Sequence, residues 1–168
     1  HDVNWGVESV RDAHGNTFTG NTFEDINEYG IYVQHYTADA TNPDREVRYN
    51  VVQGNTFRNL GGPAYESAYG FSAHITGNWI ETYGSNTNTD VQHAIATYNS
   101  PRIHCEGMIS DNVIRDGQQD VAAIRLESSD TATQIQVQGN HVDNDIAVDE
   151  PNAFAQGNNV EGDLNLSG

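Results

Sequence analysis

Lysine is absent from the 168 residues, cysteine and methionine occur once each, and no apolar run approaches the roughly 18 residues of a membrane-crossing helix. Each absence excludes something. Without lysine, the only cations are 7 arginines set against 24 acids, for a net charge of −17. No basic cluster exists to neutralise a run of phosphates, so nucleic acid and anionic membrane surfaces are excluded as partners. A lone Cys105 cannot build an internal disulfide framework, and it does not identify a redox compartment. The chain opens on His1 with nothing resembling a signal peptide, so it reads as a processed product or a fragment. Loss of lysine together with many surface acids fits a protein that stays hydrated in concentrated salt, where self-repulsion is screened.

Hydrophobic residues make up 36% and charged residues 18%, so Gly, Asn, Thr, Ser and Gln fill much of the remainder. Such a mixture could stay disordered, but 8 Tyr, 5 Phe and 2 Trp supply bulk for packing. At this length one domain with one core is expected, spanning 1–168.

A repeat organises the chain. His14-Gly-Asn-Thr-Phe18, Thr19-Gly-Asn-Thr-Phe23 and Gln53-Gly-Asn-Thr-Phe57 are followed by Thr76-Gly-Asn-Trp-Ile80 and Ser110-Asp-Asn-Val-Ile114. Gln138-Gly-Asn-His-Val142 and Gln156-Gly-Asn-Asn-Val160 complete the series. From Asn21 the marker asparagines advance by 34, 23, 34, 28 and 18 residues. A fixed motif on unequal steps means a constant frame carrying loops of different length.

Side chains alternate around each marker. Two residues after the Asn stand Phe23, Phe57, Ile80, Ile114, Val142 and Val160. Before the corner stand Val52, Ile75, Ile109, Val137 and Ala155. This period of two describes short strands meeting at a Gly-Asn corner, where Gly admits the bend and Asn tolerates left-handed backbone while bonding locally. Stacked asparagines could bond from turn to turn. A third strand follows in most repeats, at Ile31–Val33, Ile95–Thr97, Ile124–Leu126, Ile146–Val148 and Leu164–Leu166. One three-stranded turn cannot bury its inner face, whereas stacked turns can. The expected fold is therefore all-β, a right-handed parallel β-helix of about five to six three-stranded rungs. The rungs occupy 16–168, and 1–15 forms an irregular or capping segment. The phenylalanine-to-valine series should form one buried column.

The rung pattern, with Gly30-Ile-Tyr-Val33 as a third strand, resembles the right-handed parallel β-helix proteins of the pectate-lyase-like superfamily. The acidic, lysine-free composition points within it to a haloarchaeon or one of its viruses. The resemblance implies the fold and leaves several functions open, because that fold hosts polysaccharide lyases, hydrolases and epimerases, glycan-binding surface proteins and viral tailspikes. It also implies a segment of a longer solenoid, acting extracellularly or at a cell or virion surface.

On the outer face of the third strands the register sets Tyr32, Ala96, Arg125, Ala147 and Asn165 in one column, with Gln34, Tyr98, Glu127, Asp149 and Ser167 in the next. Tyr32, Gln34, Tyr98, Arg125 and Glu127 could then share one carbohydrate-binding groove: aromatic faces for pyranose rings, and an amide, a guanidinium and a carboxylate for polar substituents. An ordinary solvated face is the bland alternative. If the groove is catalytic, β-elimination on a uronate would use Arg125 against the developing charge and His35, His93 or Tyr98 to move protons. A hydrolase would need paired carboxylates; Asp90, Asp116, Asp120 and Glu127 are available, but nothing pairs them.

No metal site is expected, since the seven histidines lack zinc-type spacing. Asp143-Asn-Asp145 with Asp149-Glu150 could offer oxygens to Ca²⁺ but departs from the twelve-residue loop. The expected partner is a polysaccharide or surface glycan, bound by an enzyme or its binding domain. The alternative is a non-catalytic fibre or spike, which would be a homotrimer or another oligomer.

Overall fold

The computed structural model describes residues 3–10, 15–34, 49–68, 71–85, 92–98, 105–117, 121–127, 134–149 and 153–166. Among them there are only strands and turns, with no helix. Strand β1 (Val3–Val10) precedes the repeats. The first repeat supplies β2 (Thr17–Thr19) and the long β3 (Thr22–Gln34), and the second β4 (Asn50–Gln53), β5 (Thr56–Leu60) and β6 (Tyr65–Ala68). The third supplies β7 (Phe71–Thr76), β8 (Trp79–Glu81) and β9 (Ile95–Tyr98), and the fourth β10 (Cys105–Ser110), β11 (Val113–Arg115) and β12 (Ile124–Glu127). The fifth contains β13 (Gln134–Gln138), β14 (His141–Val142) and β15 (Ile146–Asp149). The sixth contains β16 (Phe154–Gln156), β17 (Asn159–Val160) and β18 (Leu164–Leu166).

Every pairing is parallel, and from β4 to β15 each strand joins the one three places later. The first strands of the repeats form a six-stranded sheet, β16-β13-β10-β7-β4-β2. The second and third strands, with β1 beside β3, form a twelve-stranded sheet that is continuous because β3 runs through both positions. The molecule is thus all-β, a large parallel sheet curling in the manner of a solenoid. Within the segment expected to be irregular or capping, β1 lies along β3, pairing Trp5 with Tyr29 and Glu8 with Tyr32.

The expected core column is present. Phe23, Phe57, Ile80, Ile114, Val142 and Val160 follow one another in register. All are buried except Val160, which packs half-buried against the rest. Phe23 and Phe57 stack with centroids 4.8 Å apart and planes 7° from parallel. Val52, Ile75, Ile109 and Val137 line the opposing sheet. The apolar pattern did not mark β6 as a third strand. There Tyr65 takes the place held elsewhere by Ile, and Ser67 stands inward beside Val33.

The Gly-Asn corner bonds as the repeat suggested. From Asn21 through Asn55, Asn78, Asn112 and Asn140 to Asn158, the backbone N–H and Nδ2 of each asparagine both donate to Oδ1 of the next, at 2.9–3.1 Å. From Asn55 onward Nδ2 also donates to a backbone carbonyl: those of Phe18, Val52, Ile75, Ile109 and Val137. Each amide buried inside the solenoid therefore has partners for its donors and its acceptor, the condition for burying it without penalty.

Candidate functional site

The outer column of the third strands runs Tyr32, Glu66, Ala96, Arg125, Ala147, Asn165, confirmed pair by pair. It differs from the column read off the sequence by one insertion, Glu66, contributed by the strand the pattern did not mark. Tyr32 and Arg125 are consequently three strand spacings apart, about 14 Å at ~4.8 Å per strand. Between them Glu66 is 2% and Ala96 0% exposed. Ala68, next to Gln34 in register, is also buried. The face is thus closed in its middle, with Tyr32 and Gln34 at one end and an exposed Arg125 at the other.

Other candidates are dispersed. His93 lies half-buried just before β9, and its Nδ1–H donates to the Ala122 carbonyl at 2.5 Å, which fixes the ring where the chain enters β9. Tyr98 and Glu127 end β9 and β12, and their side chains lie outside the described residues, as do His35, Asp90 and Asp120 altogether. Asp116 is exposed at a corner, away from the third strands.

At the Tyr32 end the structure assembles something the sequence reading did not. β1 brings Trp5 over Tyr29 and Tyr32, with ring centroids 6.5 and 6.2 Å away, while Tyr29 and Tyr32 lie 5.0 Å apart. The Trp5 indole N–H donates to the Glu28 carboxylate, and Asn27 Nδ2 donates to Asn4 Oδ1 at 3.4 Å. Trp5 is exposed and both tyrosines are half-exposed, so three aromatic rings meet at the surface beside Glu28, Glu8 and Gln34. Apolar bodies with polar edges suit the faces and hydroxyls of a sugar ring. The signal for Trp5 was present in the alternation Val3, Trp5, Val7, but a single strand ahead of the repeat carries no marker.

For metal chemistry, no group of three or more His, Cys, Asp or Glu is placed to hold an ion among the described residues. Two acids considered for Ca²⁺ serve the corner backbone instead. Asp143 Oδ2 accepts from the Asp116 N–H at 2.5 Å, and Asp145 Oδ1 from the Asp163 N–H at 2.6 Å. Burial pushes the Asp143 carboxyl up. The Asp116 N–H opposes this, while the negative charges of Asp116 and Glu161 add to it. Glu150 and the Asp149 side chain lie outside the described residues.

Comparison with protein-family models, with curated proteins and with solved structures finds no match to this chain in any of the three. The functional reading therefore rests on the residues and their arrangement.

Proposed function

We propose that the chain is a right-handed parallel β-helix of six three-stranded turns that recognises a polysaccharide outside the cell, through the Tyr32 end of its row of third strands. The observation that carries this reading is the surface cluster of Trp5, Tyr29 and Tyr32, flanked by Glu28 and Gln34. Right-handed winding follows from the near-universal hand of parallel crossovers, and the three-strand period of the pairing supports the helix. The likeness of the rungs to pectate-lyase-like proteins agrees with a glycan ligand, and the lysine-free surface with a halophilic source. Uronate elimination is not favoured at this end of the face, because the Arg125 it would use stands about 14 Å from Tyr32.

A fibre or spike domain is the second reading, and it has its own support. Phe154, Leu164 and Leu166 are 52%, 45% and 46% exposed on the last repeat, which suits burial against another chain.

The test is binding of uronate and neutral polysaccharides in high salt by affinity electrophoresis, together with mass by light scattering. Trp5→Ala and Tyr32→Ala are expected to weaken binding by roughly tenfold or more, as loss of a stacked aromatic anchor does. Retained binding in both variants would remove this face from consideration, and a trimeric mass with no glycan bound would favour the spike.

A further inference from the structure

The outer face of the first sheet holds a groove that the aromatic cluster does not reach. Its volume is about 610 Å³, within the span of small-molecule sites, roughly 300–1,000 Å³. Two outward columns line it. In one, Ser72, Glu106 and Gln134 are neighbours in register; in the other, His74, Met108 and Gln136 are. Between the columns Gly107 has φ 147°, and a Cβ there would sit 2.2 Å from the Ala73 carbonyl oxygen, so the position stays without a side chain.

Tyr49 stands at the edge of the groove, 65% exposed with φ 58°. The other described non-glycine residues with positive φ are Asp25, Asn59, Thr82, Asp111 and Asp116, all small and polar, whereas a bulky aromatic seldom occupies this region. The conformation is held by one hydroxyl: Ser72 Oγ accepts from the Tyr49 N–H at 3.0 Å and donates to the Glu106 carboxylate at 3.3 Å. An exposed ring and an exposed carboxylate are thereby fixed relative to each other. Strained backbone maintained by a local network marks places where geometry matters to function.

We propose that this groove is a second glycan site, taking a short stretch of uncharged sugar. Tyr49 supplies the stacking face, the Gln134 and Gln136 amides bond to hydroxyls, and the Glu106 carboxylate accepts charge-assisted hydrogen bonds from them. The charge of the site selects against uronates. Among the described lining residues there is no arginine, the one acid is Glu106, and the chain as a whole carries −17. A sugar carboxylate would be placed against a like charge at short range, where salt screens least. The site lies on a different sheet from Trp5 and Tyr32 and stands or falls separately from them.

The experiment is titration calorimetry in high salt with four tetrasaccharides, of glucose, mannose, N-acetylglucosamine and galacturonate. The proteins are the Trp5→Ala chain, in which the aromatic cluster is disabled, and the same chain carrying Tyr49→Ala or Gln136→Ala, all at exposed positions. At least one neutral tetrasaccharide should bind. Its affinity should fall roughly tenfold or more when Tyr49→Ala or Gln136→Ala is added, and exceed that for tetragalacturonate by at least about tenfold. The proposal is overturned if no neutral tetrasaccharide binds at about 10 mM, if binding survives both groove substitutions, or if tetragalacturonate binds equally well.

Discussion

The first four repeats each turn two corners of the same backbone hand, and the two are built from different residues. At the first, between first and second strands, Gly54, Gly77, Asp111, Gly139 and Gly157 have φ of 55–65° and are followed by the buried asparagine ladder. At the second, between second and third strands, Asp25, Asn59, Thr82 and Asp116 have φ of 52–56°. These stand one residue beyond the registered series Glu24, Arg58, Glu81, Arg115. Short polar side chains can occupy left-handed backbone at modest cost, so the second corner needs no glycine. What differs is the network. The first corner bonds inward from turn to turn through full amides, while the second bonds at the surface, as where Asn59 Nδ2 donates to Asp25 Oδ1 at 3.0 Å. A shared backbone geometry is thus held from inside at one corner and from the solvent side at the other.

The largest expected effect breaks the first corner. Asn112→Ala removes the acceptor for Asn78 N–H and Nδ2 and the donor to the Ile75 carbonyl, all inside the solenoid. Stranded buried groups cost about 1–3 kcal/mol each, so a loss of roughly 4 kcal/mol is expected in urea unfolding. Asn158→Ala, at the half-buried end of the same column, should lose only about 1–2 kcal/mol, because water can reach the groups it frees. Equal losses at the two positions would show that the ladder is not stabilised by its burial.

The contrast also explains what could be read in advance. The first corner was legible because Gly-Asn is a distinctive pair and the residues around it alternate cleanly; the strands, the core column and the asparagine bonds all followed. The second corner left no signature, since Asp, Asn and Thr are common in any exposed segment. The strand after it in the second repeat was hidden for a related reason: Tyr65-Glu66-Ser67-Ala68 places a serine inward and a buried acid outward. Missing that strand put Tyr32 and Arg125 one spacing too close. Of the expected groove, Tyr32 and Gln34 do stand beside a surface aromatic cluster, but Trp5 and Tyr29 complete it through β1, a pairing across the N-terminal edge that no repeat marker announces.

A second test concerns Tyr83, which fills the second corner of the third repeat and is buried beside Asn144 and Asp143. Burial pushes its phenol well above the ordinary tyrosine value, the nearby Asn144 amide opposes that, and the Asp143 charge adds to it. Tyr65, buried in β6, is pushed up by the same cause, with the neighbouring polar groups of Ser67 and Asn50 opposing it. A phenol whose folded value is raised contributes its full stability below the unfolded value near 10 and loses it as pH climbs from there toward the folded value. Each buried tyrosine should therefore cost about 1.4 kcal/mol per pH unit above pH ~10. In Tyr83→Phe the decline of stability between pH ~10 and ~11.5 should be shallower by that amount. An unchanged slope would mean that the second corner is open to water at Tyr83.

The smallest effect probes the acids of that corner. The folded Asp143 carboxyl is held above its unfolded value by burial first, with Asp116 and Glu161 repelling its charge and the Asp116 N–H partly offsetting both. A raised folded value means that Asp143 favours folding while both states are protonated, below the unfolded value near pH ~3.9, and that this contribution is lost as pH rises through the folded value. Asp143→Asn retains an oxygen to accept from the Asp116 N–H and cannot ionise. It should match the parent at pH ~3 and become more stable above pH ~4–5, by less than about 1 kcal/mol because the residue is only half-buried and its charge partly screened. High salt should shrink the part due to Asp116 and Glu161 and leave the burial part. A gain that does not depend on pH, or a loss at neutral pH, would mean that the charged carboxylate is held by the corner rather than tolerated by it, making the second corner an ionic counterpart of the asparagine ladder.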